Sequence, residues 1–318
     1  MNNRRKIFFR ADASAEIGYG HFIRSLALAN MLNDDFSCTF FTVHPTEYQL
    51  GELKKVCKCI ALKEKTKFND FITYLQGDEI VVLDNYFNTI EYQTQIKDKG
   101  CKLVCIDDPH DVKYNCDVLV SHGFVTPDDF DVPEETIIKT GVEWALLRKP
   151  FLKKTNKTGE RKNSIVVSFG GSDPYNVTER IVEQLIELQL PYTIKVILGD
   201  KVYLSDRCRK NVAILRNLTA EQMAKLFETS AIGLFSASTV CIEGLSRGLP
   251  MIVGYYVENQ EKGYQRMSKR KVISPIGDLR QSTPTDFLSA MDYLSQINHI
   301  DIHPELIKEK YTKLFSEL

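Results

Sequence analysis

The chain has 318 residues, 43% of them hydrophobic and 26% charged, with a formal net charge of −1. This is the make-up of a globular protein, long enough for two domains and without the charge excess of a nucleic-acid or anionic-membrane binder. No apolar run is long enough to cross a bilayer or to form a signal-peptide core, so the expectation is a cytoplasmic protein with a small-molecule partner.

In chain order, the apolar run Lys6–Arg10 reads as a first strand and leads into Gly18-Tyr-Gly20-His21. A helix follows over Gly20–Leu32, with apolar residues at helical spacing. Further strands are expected at 38–43, 59–62, 80–83, 103–106, 118–120 and 137–139, and helices at 68–75 and 89–99. Short runs rich in Val, Ile and Leu that alternate with helices predict parallel strands buried on both faces. The polar, basic stretch Lys149–Asn163 interrupts the pattern and reads as a linker, giving domains 1–150 and 151–318.

The strand–helix alternation then restarts. Strands are expected at 164–169, 193–198, 231–235 and 251–254, with helices at 177–188, 219–228, 240–247 and 259–269. Thr219 and Gln222 form a capping box. The charged tail from Pro304 to Leu318 is helical and is expected to fold back to brace the two halves. Of the eight cysteines, Cys38, Cys101, Cys105 and Cys241 sit within or beside apolar runs, and Cys57-Lys-Cys59 lacks zinc-ligand spacing. Neither a metal nor a cofactor is expected.

Polar residues collect at strand ends. In the first half these are Arg10 and Asp12, Asp84-Asn85-Tyr86 and Asp107-Asp108, which should share one rim of the sheet. His21 falls in the first turn of its helix, near unpaired N–H groups, a place that suits an uncharged imidazole able to accept a proton. His110 and His122 lie near the same rim. In the second half, Phe169-Gly170-Gly171-Ser172-Asp173 is a Gly-rich turn suited to phosphate, although it is neither a P-loop nor GxGxxG. Ser236, Ser238 and Thr239 open another helix, with Glu243 one turn in, and Asn259-Gln260 follows a later strand. Glu243 is a poor phosphate ligand but suits ribose hydroxyls. A dehydrogenase is disfavoured, because no acidic residue stands at the end of the second strand to read a ribose.

The pattern RAD-x5-GxGH-x2-R over Arg10–Arg24, the FGGSD turn, and SAST-x3-E followed by ENQ resemble the UDP-2,4-diacetamido-2,4,6-trideoxy-β-L-altropyranose hydrolases of pseudaminic acid synthesis, relatives of the MurG-like glycosyltransferases. The likeness runs from about Lys6 to about Lys269 and includes the segment Gly141–Arg148. It implies a GT-B-like α/β fold of two Rossmann-like domains facing across a cleft, with UDP held by the second. It implies His21 as the catalytic histidine; read as the base that deprotonates water, His21 has Asp12 or Asp84 to position the sugar or the imidazole. It also implies substrate contacts from Arg10, Gly18, Gly20, Arg24, Tyr86, Gly170, Gly171, Ser172, Asp173, Ser236, Ser238, Thr239, Glu243 and Asn259. One departure is Asn85, where the family pattern has His, and it bears on which sugar is accepted. The rival readings are a glycosyltransferase on the same fold and a non-catalytic nucleotide-sugar binding module. The sequence says nothing of oligomeric state.

Overall fold

The computed structural model describes residues 4–12, 19–85, 89–106, 113–154, 161–171, 173–199 and 201–318. The chain divides into two units, Met1–Leu152 with Pro304–Leu318, and Lys153–His303.

Among the described residues, the first unit holds strands β1 (Lys6–Ala11), β2 (Ser37–Val43), β3 (Lys58–Leu62), β4 (Ile80–Asp84), β5 (Lys102–Ile106), β6 (Val118–Ser121) and β7 (Ile137–Thr140). Helices α1 (Gly20–Leu32), α2 (Glu47–Lys54), α3 (Lys67–Tyr74) and α4 (Ile90–Asp98) connect the first five. The sheet order is β3-β2-β1-β4-β5-β6-β7, and every pairing is parallel. Strands covered on both faces explain the near-continuous apolar runs; all five residues of β4 are buried. Phe41, Phe71, Val81, Leu83 and Leu103 form one core cluster, and Phe22 of α1 meets Phe40 edge-on at 5.6 Å.

The second unit repeats the scheme. Its strands are β8 (Lys162–Ser168), β9 (Thr193–Ile197), β10 (Ala213–Leu215), β11 (Ser230–Ser236), β12 (Met251–Tyr255) and β13 (Ser274–Asp278). Its helices are α5 (Val177–Glu187), α6 (Asp206–Asn211), α7 (Ala220–Thr229), α8 (Thr239–Ser246), α9 (Glu258–Lys269) and α10 (Pro284–Tyr293). The order is β10-β9-β8-β11-β12-β13, again parallel throughout. Thr219 and Gln222 close the expected capping box on α7.

The last helix, α11 (Pro304–Glu317), belongs to the first unit and not to the second. Its buried face includes Ile307, Tyr311 and Phe315. Tyr311 donates to the Trp144 carbonyl at 2.6 Å, Phe315 meets Phe36, and Lys308 reaches Asp34 at 2.5 Å. No described helix is long and apolar enough to cross a membrane.

Candidate active site

In an open parallel sheet, ligands collect where the strand order reverses, at the carboxyl ends of the two strands flanking that point. In the first unit those strands are β1 and β4, in register with Ala11 beside Asp84. Asp12, one residue past β1, and Asp84, the last of β4, therefore stand next to each other on the rim.

Each carboxylate is buried and each has its own arginine. Asp84 is fully buried and takes four donors. His21 Nδ1 lies 2.6 Å from Oδ1, Arg24 Nη2 lies 2.7 Å from the same oxygen, and Arg24 Nε and Ser25 Oγ each lie 2.8 Å from Oδ2. Burial alone pushes this carboxyl up, but the Arg24 guanidinium and the His21 ring outweigh it and hold it far below the ordinary carboxylate range. Since Asp84 stays ionised, a 2.6 Å approach requires the ring proton on Nδ1. In the uncharged ring, Nε2 then carries the lone pair. His21, Arg24 and Ser25 are spaced i, i+3, i+4 on α1, so one helical turn presents all three to one strand end.

Asp12 is the second centre. Burial raises its carboxyl, yet the fork from Arg10, the amide of Asn85 and the Val43 N–H bring it below the usual range. Arg10 donates Nη2 to Oδ2 at 2.8 Å, Asn85 Nδ2 reaches the same oxygen at 3.0 Å, and Val43 N reaches Oδ1 at 3.0 Å. Arg10 and Arg24, read from the sequence as substrate ligands, thus have their guanidinium groups on Asp12 and Asp84. Both are buried. Gly20 is the exposed first residue of α1, whose N-cap, Tyr19, makes no side-chain capping bond. Gly18, Tyr86, Asp107, Asp108 and His110 lie outside the described residues. His122 is buried just past β6.

In the second unit the order reverses between β8 and β11, with Ser168 beside Phe235. Past β8, Gly170 has φ +99°, a conformation open to glycine, and both Gly170 and Gly171 are exposed. The turn is held from behind. Tyr256 donates to the Phe169 carbonyl at 2.6 Å, and burial pushes its phenol up to about 12, so it stays a donor. A Cβ on Gly199 would stand 2.1 Å from the Gly171 carbonyl oxygen, so only glycine allows that approach. Asp173 caps α5, with Val177 N on Oδ1 at 2.8 Å and Thr178 N on Oδ2 at 2.7 Å. Ser172 lies outside the described residues.

Helix α8, past β11, starts differently. Its N-cap Ser238 makes no side-chain capping bond, turning its hydroxyl to the Ser236 carbonyl at 3.3 Å, and its first turn has no acidic residue. Ser236 is buried, Ser238 exposed and Thr239 partly exposed; Glu243 is buried on the next turn. Asn259 is exposed in the first turn of α9, where Gln260 Oε1 accepts from Tyr256 N at 3.1 Å. Among the described residues, one group of potential metal ligands comes close together, Glu179, Glu183 and Cys208 on α5 and α6. Sequence reasoning missed Ser25, Val43, Gly199 and Tyr256. Only Ser25 had a local signal, its place beside Arg24 on the face of His21.

No family model matches the chain. A UDP-2,4-diacetamido-2,4,6-trideoxy-β-L-altropyranose hydrolase of Campylobacter jejuni is 26% identical over 282 residues, covering 83% of this chain and 97% of the hydrolase. The chain resembles that hydrolase over most of its length. An uncharacterized protein of Methanocaldococcus jannaschii is 25% identical over 325 residues, covering 94% of this chain. This chain spans 63% of that relative's length. Among solved structures, MurG of Acinetobacter baumannii superposes with a TM-score of 0.69 at 12% identity, covering 99% of this chain and all of MurG. Arabidopsis thaliana UGT89C1 complexed with UDP-L-rhamnose gives 0.63 at 11% identity, covering 98% of this chain and 94% of its own. The fold is thus the GT-B fold of MurG-like proteins.

Proposed function

We propose that the chain hydrolyses a UDP-linked 2,4-diacetamido-2,4,6-trideoxyhexose to the free sugar and UDP, as in pseudaminic acid synthesis. The observation that carries the reading is the His21–Asp84 contact at the reversal point of the first sheet. It leaves Nε2 of the uncharged ring as a proton acceptor whose orientation is fixed by an ionised partner. The resemblance to the Campylobacter hydrolase supports the substrate class.

In this reaction Nε2 takes a proton from water as the water oxygen bonds to the anomeric carbon. The bond from that carbon to the diphosphate oxygen breaks, and UDP leaves as an anion. Because the leaving group needs charge stabilisation more than a proton, the second unit's contribution is electrostatic. The N–H groups at the start of α8 and in the Gly170–Gly171 turn serve the diphosphate, and Glu243 serves the ribose. Asp84 is a positioning residue here, and the paired carboxylates of ordinary glycosidases are unnecessary. No step calls for a metal.

A second reading, transfer to a sugar hydroxyl in place of water, is favoured by the glycosyltransferases that share the fold. Turnover of the UDP-sugar in ¹⁸O-water separates the two, since hydrolysis puts the label on the anomeric hydroxyl of the released sugar. His21→Asn should keep UDP affinity within about threefold and lower turnover by about 100-fold or more. Equal loss of binding and turnover would make His21 a structural residue and end the proposal.

A further inference from the structure

We propose that Arg24 is a positioning residue for the proton acceptor: by occupying both oxygens of Asp84 it holds the carboxylate against Nδ1 of His21 and offsets the charge that Asp84 places on the ring. The inference rests on the reading of His21 as the base.

Three observations point the same way. The guanidinium meets Asp84 as a fork, Nε on Oδ2 at 2.8 Å and Nη2 on Oδ1 at 2.7 Å. Such a two-point contact fixes an orientation where a point charge would not. Nη2 also lies 3.1 Å from His21 Nδ1, so a full positive charge abuts the ring on the side where the carboxylate sits. Finally, His21, Arg24 and Asp84 are all buried, where charges act on one another with little screening.

An isolated His–Asp pair favours the protonated ring, and a base in that state cannot accept a proton from water. With Arg24 in place, the carboxylate still fixes the tautomer but its charge is balanced. The other charged groups packed around α1 do not substitute for it among the described residues. On β1, Arg10 and Asp12 neutralise each other and reach the neighbourhood of Asp84 through the uncharged Asn85. On α11, Lys308 pairs with Asp34, and Lys149, in the turn 149–152 that packs on α1, and Arg4 also act on Asp34, past the far end of α1.

The test uses the full chain with ¹⁵N-labelled histidine. Ring signals report tautomer and protonation without any substrate, and His21 is assigned by its loss in His21→Asn. In the unaltered protein the uncharged His21 ring should show the Nδ1–H tautomer. In Arg24→Met the pH at which its signals change should rise by about one unit or more, with the acid limb of kcat/KM following. In Asp84→Asn, where the arginine acts alone, it should fall. Arg24→Lys keeps the charge but loses the fork, so kcat should drop while the ring's protonation stays near that of the parent.

Identical ring behaviour in the parent and Arg24→Met would overturn the proposal, as would a rise in KM with kcat unchanged, which is the signature of a substrate ligand. If Arg24→Met does not fold, the parent's tautomer and Arg24→Lys decide: an Nε2–H ring in the parent, or a lysine variant with undiminished kcat, refutes it. Ring signals that respond to Arg24 in a protein that releases no sugar would discard the hydrolase reading and leave the role of Arg24 standing.

Discussion

Asp173 separates two accounts of the second unit, because the sequence motif offers it to substrate while its carboxylate oxygens accept from Val177 N and Thr178 N. Replacing it with Ala strips both bonds from the first turn of α5 and removes a negative charge from the positive end of the helix. Asp173 precedes the N-cap residue Asn176 but serves the same first-turn N–H groups; losing an N-cap side chain costs about 0.5–2 kcal/mol, and two N–H groups served by one charged residue put this case near the upper end, at about 2 kcal/mol. For a unit of roughly 150 residues, that lowers the unfolding temperature by about 4–8 °C. Asp173→Asn keeps one acceptor oxygen and should lose about half as much. Scanning calorimetry reads the unfolding and titration calorimetry reads UDP affinity, which should stay within about threefold because the Asp173 carboxylate faces the first turn of α5 and not the diphosphate. A variant that melts like the parent but binds UDP tenfold more weakly would refute the assignment of Asp173 as a cap.

Gly199→Ala should be among the more damaging single-methyl changes. Its Cβ would stand 2.1 Å from a backbone oxygen of Gly171, so the Gly-rich turn must shift; UDP binding should weaken more than tenfold with only modest loss of stability, and unaltered affinity would show that the turn takes no part. Acid sensitivity follows from Asp12 and Asp84, whose carboxyls are depressed in the folded chain because their arginine partners outweigh burial. A depressed folded-state pKa adds stability above the unfolded value of about 4, and that stability is lost as pH falls below it. Urea midpoints of the first unit should therefore fall between about pH 5 and pH 3, less steeply in Asp84→Asn than in the parent; parallel decline would contradict the linkage.

What the sequence made legible was what is local. The bounds of α1, Gly20–Leu32, follow directly from apolar spacing, and the buried strands announce themselves as apolar runs. Helix α2 escaped because it buries only Gln49 and Leu53, so it carries no apolar stripe, although Thr46 and Gln49 form a capping box. Strand β13 escaped because it contains Pro275 and Gly277, which its place at the edge of the sheet tolerates. The candidate site was legible as a list of strand-end residues and not as a set of contacts. Arg24 meets Asp84 across 60 positions of sequence. No spacing rule predicts that pairing; it follows from α1 leaving β1 and β4 pairing beside it. Nor does a motif distinguish a carboxylate facing a ligand from one facing its own helix, which is why FGGSD read as a phosphate turn throughout.

The two reversal points, equivalent in topology, differ in chemistry in a way that divides the work. At the first, ionised carboxylates are matched one for one by buried guanidinium groups, Arg10 with Asp12 and Arg24 with Asp84. Such a rim carries fixed dipoles and an oriented imidazole but little net charge, so it suits moving a proton more than gripping an anion. At the second, the nearby carboxylate of Asp173 is turned onto α5, and the next helix opens on Ser238 and Thr239 with no acidic residue in its first turn. A dianionic leaving group is best served by backbone N–H groups that need no counter-charge and cannot be titrated away.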